Sequence, residues 1–474
     1  MGRNSFGGKN MKHRSVPCVS AILLAVVSVA AAADKVQTYA LKSKRAPNVV
    51  DRVEAILEVS GPLKVIEGHA KDPKKATSVE MKAAATLAYA EKSLKIPASG
   101  DLPAQAVRYY DKAEASIQVG DGAFKPTLRD ERRLIGVEVR GPKVIMFCPK
   151  GPLTREELDL VDLLGNSLLF DMLLPPRAVT VGESWKHSDK LLAALVGMDT
   201  VESSDAQSVL QSVADGVAQI EMAGYVAGTV NGLSSTIQLK AKYRFDTKAE
   251  RITWFALLVK ESREPGPIGP GLDVVARIQV KVTPGAECSQ LNKTALDGLP
   301  LEPSAPLQQL SYASAEAGWE MTYDRRWLVF SERKGLTILR MADGGAYLAQ
   351  CNVSSTAPGE GKQVTLAEFQ EDIRRALAKN FRQFTKASQT VTVADYQVYR
   401  VAVQGEASGV PIEWIYYRVA DKLGRQVVVL FTVEANRGGK FEGSDIELVR
   451  AIRFSDAKVA TKPQPKPQTG AQSK

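Results

Sequence analysis

Histidine is nearly absent from this chain. Three occur in 474 residues, His13, His69 and His187. Histidine is the usual general base near neutral pH and the commonest metal ligand, so its scarcity narrows the available chemistry. No H-x-H, H-E-x-x-H or C-x-x-C spacing occurs, so no metal motif is present. His69 sits in the charged stretch Glu67-Gly68-His69-Ala70-Lys71, and His187 follows Trp185-Lys186 at a strand end. Both read as exposed or hydrogen-bonded structural residues. The sharper alternative makes His187 a base for a distant Ser or Asp. No G-x-S-x-G elbow exists, and Ser331-x-x-Lys334 has no accompanying S-D-N or K-T-G. Gly359-Glu360-Gly361-Lys362 has Gln363 where a phosphate loop needs Ser or Thr. The prolines of Gly266-Pro267-Ile268-Gly269-Pro270-Gly271 remove the donors that would cradle a pyrophosphate. Glu156-Glu157 and Asp445 with Glu447 read as acidic first turns of helices. The sequence therefore predicts no catalytic residue, no cofactor or cofactor-binding residue, and no metal ligand.

Cysteine is also scarce. Cys18 lies at the start of the apolar N-terminal run, leaving Cys148, Cys288 and Cys351. An odd count allows at most one disulfide, and whether any two pair stays open. Cys148 and Cys351 fall on strand-like runs, where a small buried thiol is the common outcome. Asn292-Lys293-Thr294 and Asn352-Val353-Ser354 are formal glycosylation sequons and read as idle. Beyond the N-terminus no apolar run approaches the roughly 20 residues of a membrane span. Clustered positive charge is missing too. The net charge is +9, but Arg3, Lys9, Lys12 and Arg14 at one end and Lys458, Lys462, Lys466 and Lys474 at the other are unopposed by acids. Residues 34–456 are left near +1, which argues against nucleic-acid binding.

What is present begins with an export signal. Basic residues lead into the apolar run 19–29, which closes on Ala31-Ala32-Ala33 before Asp34. That pattern predicts a signal peptide over 1–33, with translation starting at Met1 or Met11, and a soluble periplasmic or extracellular product.

Residues 34–295 read as a β-rich domain. Ile237, Leu239, Ala241, Tyr243 and Phe245 alternate with Gln238, Lys240, Lys242 and Arg244. A turn over 246–250 leads into Ile252, Trp254, Ala256 and Leu258, which predicts a hairpin. Val274, Ala276, Ile278, Val280 and Val282 alternate with Arg277, Gln279 and Lys281. Runs 53–59, 134–139, 144–148 and 217–230 behave alike, and 81–94 reads as strand despite an Ala content that favours helix. One helix stands out. Thr154 and Glu157 form a capping box, Leu158, Val161, Leu164, Leu168 and Met172 recur at helical spacing, and Pro175-Pro176 stops it. The prediction is an antiparallel sheet with a helix packed on one face.

Residues 296–310, with three prolines and no periodicity, read as a linker. Residues 311–456 then read as a smaller α+β domain. Trp319, Met321 and Tyr323 alternate, Trp327 and Val329 continue, and 336–341 and 346–352 follow as strands. A Thr365/Glu368 capping box opens a helix carrying Leu366, Phe369, Ile373, Leu377, Phe381 and Phe384 on one face. Strands 411–420 and 426–434 flank a turn, and a Ser444/Glu447 box opens a short helix ending at Ile452-Arg453-Phe454. Trp319, Tyr323, Trp327, Trp414, Tyr416 and Tyr417 read as core, with an exposed aromatic face as the alternative. The tail 457–474, rich in Lys, Pro and Gln, reads as disordered.

The Gly318-Trp319 opening, Trp327, the long helix, the following hairpin and the Ile452-Arg453-Phe454 ending resemble the PsbP/Mog1-like α/β sandwich over about a third of the chain. That resemblance implies a binding or assembly module without catalytic machinery and carries no ligand residue onto a numbered position. Leu174-Pro175-Pro176 leading to Val181-Gly182-Glu183-Ser184-Trp185 is similar to segments of uncharacterised exported bacterial proteins, and the hairpins with a packed helix are similar to LolA-type half-barrels. The expected fold is α+β in two domains: a β-rich antiparallel sheet with a packed helix, then a PsbP/Mog1-like sandwich. The expected function is non-enzymatic binding or assembly, with an unknown protein or lipid partner in the cell envelope. The alternatives are a carrier of a hydrophobic ligand in the 34–295 sheet, or a secreted hydrolase.

Overall fold

The computed structural model describes residues 37–66, 76–96, 104–266, 269–333, 335–343, 346–356, 364–392 and 394–455. The predicted signal 1–33, His69, the 359–362 glycines, Lys334 and the 457–474 tail lie outside the described residues. The chain divides at Gln37, and every element below belongs to the unit that begins at Thr38.

The first region contributes β1 (Thr38–Tyr39), β2 (Val50–Ile66), β3 (Ala76–Lys95), β4 (Ala104–Val119), β5 (Gly122–Phe124), β6 (Leu134–Arg140), β7 (Lys143–Phe147), β8 (Val179–Thr180) and β9 (Ser184–Lys186). It continues with β10 (Thr200–Ser204), β11 (Gln207–Ala214), β12 (Val217–Val230), β13 (Leu233–Asp246), β14 (Arg251–Arg263) and β15 (Gly271–Pro284). Apart from the small β1–β8 pair, these strands form one antiparallel sheet in the order β7-β6-β4-β3-β2-β15-β14-β13-β12-β11-β9, with β5 beside β4 and β10 beside β12. Two meanders meet where β15 pairs with β2, for example Val282 opposite Val53. Period two decides the layering. Ile237, Leu239, Ala241, Tyr243 and Phe245 are buried while Lys240, Lys242 and Arg244 face water. The predicted β13–β14 hairpin is present, and Asp246 Oδ1 accepts from the Lys248 and Ala249 amides in its turn. Segment 81–94 is strand, as its alternation predicts.

The inner face of the sheet packs on α1 (Arg155–Val161), a 3-10 turn Ser167–Leu173 and α2 (Asp189–Val196). The Thr154/Glu157 capping box is formed. The single helix predicted to run to Met172 is not. It stops at Val161, Gly165 takes φ 68°, and Asn166 restarts the chain by accepting from the Leu168 amide. A 3-10 turn repeats every three residues, so its apolar spacing imitates the helical one. Helix α2 is marked by its caps, Ser188 and Gly197, but not by a clear apolar spacing, because Leu191 through Val196 are all buried and a helix apolar on most sides shows little amphipathic period.

The predicted linker 296–310 starts on the last residue of helix α3 (Lys293–Leu296) and contains helix α4 (Ala305–Gln308). The segment is docked. Leu296 is buried, and Leu299 and Leu301 pack with it over Ala90, Val107 and Leu134 on the outer face of the sheet.

The second region holds β16 (Leu310–Ser314), β17 (Trp319–Tyr323), β18 (Trp327–Arg333), β19 (Leu336–Asp343), β20 (Ala346–Thr356), α5 (Leu366–Leu377), β21 (Phe381–Val391) and β22 (Gln397–Ala407). It ends with β23 (Val410–Ala420), β24 (Gln426–Glu434), α6 (Gly438–Phe441), α7 (Ser444–Ala451) and β25 (Arg453–Phe454). A seven-stranded sheet runs β18-β19-β20-β24-β23-β22-β21, and a three-stranded one runs β16-β17-β25. Helix α5 covers one face, setting Phe369, Ile373 and Leu377 on Tyr399, Val401, Val403 and Trp414. The other face packs Phe431 against Trp327 and Phe441, within a core continuous with that of the first region. The overall class is α+β, dominated by antiparallel sheet.

Two details of the second region differ from the sequence prediction. Helix α5 ends at Leu377, where Ala378 adopts φ 46°. Phe381 and Phe384 belong to β21, their rings 4.8 Å apart, and they continue the helical stripe only by spacing. The Ser444/Glu447 capping box does not form. Gly443, at φ 83°, takes the cap position, and Ser444 is already helical.

The two regions are tied directly. Leu153 bridges Leu310, the Ser311 amide donates to the Leu153 carbonyl at 2.8 Å, and Arg325 Nη2 donates to the Met146 carbonyl at 2.6 Å.

Candidate functional site

The strand bearing Trp185 ends beside His187, whose Nε2 lies 2.7 Å from Ser208 Oγ on β11. Tyr243 on β13 places its hydroxyl 2.7 Å from the same Oγ and 3.1 Å from the Leu173 carbonyl, which also accepts from Trp185 Nε1 at 2.9 Å. Burial holds the His187 imidazole in its neutral form, with a pKa lowered to about 4. A neutral imidazole within reach of a serine hydroxyl is half of a nucleophilic site. The other half is missing. Ser208 has no solvent exposure, and no carboxylate among the described residues hydrogen-bonds the imidazole. The cluster joins β9, β11, β13 and the Ser167–Leu173 turn.

A second buried cluster ties β2, β3, β4 and β14. Arg108 donates from Nε to Glu91 Oε2 at 2.8 Å and from Nη2 to Asn166 Oδ1 at 2.6 Å. Ser167 Oγ donates to Glu91 Oε2 at 2.7 Å, and Arg45 pairs with Glu91 Oε1. Arg251 pairs with Asp51 at 2.6 Å. Burial opposes the Glu91 charge, yet Arg108 and Arg45 hold its carboxyl down at about 2. Glu91 and Asp51 are fully buried and Arg108 nearly so. The network is closed to solvent.

The remaining sequence candidates are accounted for locally. Glu157 completes its capping box and takes Arg129 at 2.6 Å. Asp445 accepts from Tyr417 at 2.7 Å and Arg400 at 3.0 Å. Cys148, Cys288 and Cys351 are free thiols, the first and last buried. Trp319, Tyr323, Trp327, Trp414 and Tyr417 are core and Tyr416 packs beside them, so these aromatics present no exposed face. Among the described residues no group of three potential metal ligands converges. No helix among them is long and apolar enough to cross a membrane.

The accessible feature is a groove of about 850 Å³ on the outer face of the first sheet, across β2 and β11–β15. Cross-strand register builds it from two rows. One reads Val209, Glu221, Lys242, Ala256, Gln279, Ile56, and the other Gln207, Ala223, Lys240, Leu258, Arg277, Glu58. Val209, Ala223, Ala256, Leu258 and Ile56 give the groove an apolar lining, with Ile56 53% exposed. Lys242 is paired to Glu221 at 2.7 Å. Its size falls within the usual range of ligand sites. The α3 segment covers the opposite half of this outer face and leaves the groove open.

No family model matches the chain, and no curated protein matches it. Several solved structures align with about a third of it. A crystal structure of a protein from Bacteroides thetaiotaomicron aligns at 15% identity and TM-score 0.24, covering 31% of this chain and 49% of that one. The solution structure of cyanobacterial PsbP (CyanoP) from Synechocystis aligns at 11% identity and TM-score 0.26, covering 31% and 92%. A protein of unknown function from Pseudomonas aeruginosa, described as a putative regulator, aligns at 13% and TM-score 0.22, covering 34% and 99%.

Proposed function

We propose that this is an exported, non-enzymatic binding protein whose ligand lies in the outer groove of the 34–295 sheet. The observation that carries the reading is the groove itself: an open, partly apolar concavity built by six strands, in a molecule whose polar clusters are sealed. It is the carrier alternative of the sequence, moved from the helix-packed face to the opposite one. The 311–456 region, read as a PsbP/Mog1-like module, would serve assembly with a partner in the envelope. Support for that comes from element order and from one sheet with α5 on a single face.

The test is native mass spectrometry of the protein purified from the exported fraction, beside the groove-filling variant Ala256→Trp. A retained non-protein ligand that the variant loses supports the reading, and equal retention removes it. A hydrolase screen covers the competing view, with His187→Ala as its control. Turnover abolished by that change would overturn the non-enzymatic assignment, because a general base contributes about 10²–10⁴-fold. N-terminal sequencing of the same sample should begin at or near Asp34.

A further inference from the structure

The groove has an uneven distribution of charge. Three cations line it, Lys240, Lys242 and Arg277, against two carboxylates, Glu58 and Glu221. Glu221 is taken by Lys242. Lys240 and Arg277 form no ion pair or side-chain hydrogen bond with a described residue, and both are exposed. Register puts Leu258 directly between them: Lys240 opposes Leu258 on one side and Arg277 opposes it on the other. Two inter-strand spacings separate the cations, about 10 Å between Cα atoms. Both side chains are long enough to close on one anion above Leu258. The only acid of that row, Glu58, stands beyond Arg277, on the side away from Lys240. The adjoining row supplies Ala256 and Ile56 on either side of Gln279, so apolar surface flanks the cation pair.

Resting on the groove reading above, we infer that the ligand is a single-chain anionic amphiphile. Its acyl chain runs from Leu258 over Ala256 and across the Gln279 stem to Ile56, and its anionic end sits between Lys240 and Arg277. Charge complementarity selects the head, because two unpaired cations over an apolar floor favour an anion more than a neutral group. The apolar strip selects the tail, since burying it removes exposed hydrocarbon such as Ile56 from water.

The experiment is titration calorimetry on the exported protein with dodecanoate, dodecanol of equal chain length, acetate and polyglutamate. Dodecanoate should bind about tenfold or more tightly than dodecanol, the scale of a charge-assisted hydrogen bond, and acetate should not register. Lys240→Gln combined with Arg277→Gln should weaken dodecanoate by a similar factor and leave dodecanol unchanged. Ala256→Trp should weaken both. Equal binding of dodecanoate and dodecanol, insensitive to the double variant but lost in Ala256→Trp, would overturn the anionic head and leave the groove reading standing. Binding of either amphiphile that Ala256→Trp does not alter, or binding of neither, would remove the groove reading as well. Retention of polyglutamate without dodecanoate would assign the groove to an acidic polypeptide and overturn the inference.

Discussion

Replacing Glu91 with Gln tests what holds the long strands together. The carboxylate accepts from Arg108 Nε at 2.8 Å, from Ser167 Oγ at 2.7 Å and from Arg45, all out of water. Its carboxyl is held near 2 against an ordinary 4.5. A displacement of that size corresponds to about 3 kcal/mol of stability at neutral pH. Removing one partner of a buried pair costs about 3–5 kcal/mol, because the partner charges remain buried. Glu91→Gln keeps the shape and turns an anion into a neutral amide facing two guanidinium groups. The expected loss is therefore about 3 kcal/mol or more. Urea unfolding followed by tryptophan fluorescence reads it as a lowered midpoint. The pH dependence gives a second check. A depressed acid contributes fully above its unfolded pKa, so the gap between wild type and variant should be complete above about 4.5 and close as pH falls through about 2. Equal midpoints at pH 7 would show that the network stabilises nothing.

Other expectations follow from the same structure. His187 is neutral in the fold, with a pKa near 4 against 6.5, so the unfolded chain binds the extra proton between these values. Stability is then complete above about 6.5 and falls towards pH 4, by about 2 kcal/mol after allowing for partial exposure. Melting curves of His187→Gln should lack that part of the acid sensitivity. Phe369→Ala and Leu377→Ala should each cost about 2–5 kcal/mol, since both side chains are buried between α5 and β22–β23; unchanged calorimetric transitions for both would disprove the packing. Residues 311–456 expressed alone should melt below the same region in the whole chain, because the Ser311 amide and Arg325 lose the Leu153 and Met146 carbonyls they donate to. An identical melting temperature would show that the region is independent.

Most strands were legible because one face is wet and the other dry. The alternation from Ile237 to Phe245 maps directly onto β13. Legibility failed where that contrast vanishes. Strand β22 is buried on both faces along much of its length, and α2 is buried all round, so neither shows its period. It also failed where two periods coincide, at Leu168, Met172, Phe381 and Phe384. The groove was half visible. Lys240 and Arg277 were read as outward residues of their strands, which they are, but their convergence on Leu258 depends on a register across three strands. The contact of His187 with Ser208 and Tyr243 likewise depends on strand order that no local pattern carries.

The pairing of β15 with β2 has a consequence for how the chain reaches this structure. Val53 lies opposite Val282, so the seam joins residues on either side of nearly the whole first region. Such non-local closure is slow, because a long loop must be ordered before its contacts form. Until residue 284 is available, β2 and β14 each offer an unpaired edge, the kind of surface that recruits other chains. If the chain is threaded out of the cell amino-terminus first, its leading strands must wait for β15 before the sheet can close. Variants that weaken the seam, in β2 or β15, should therefore lower the yield of folded protein more than its melting temperature.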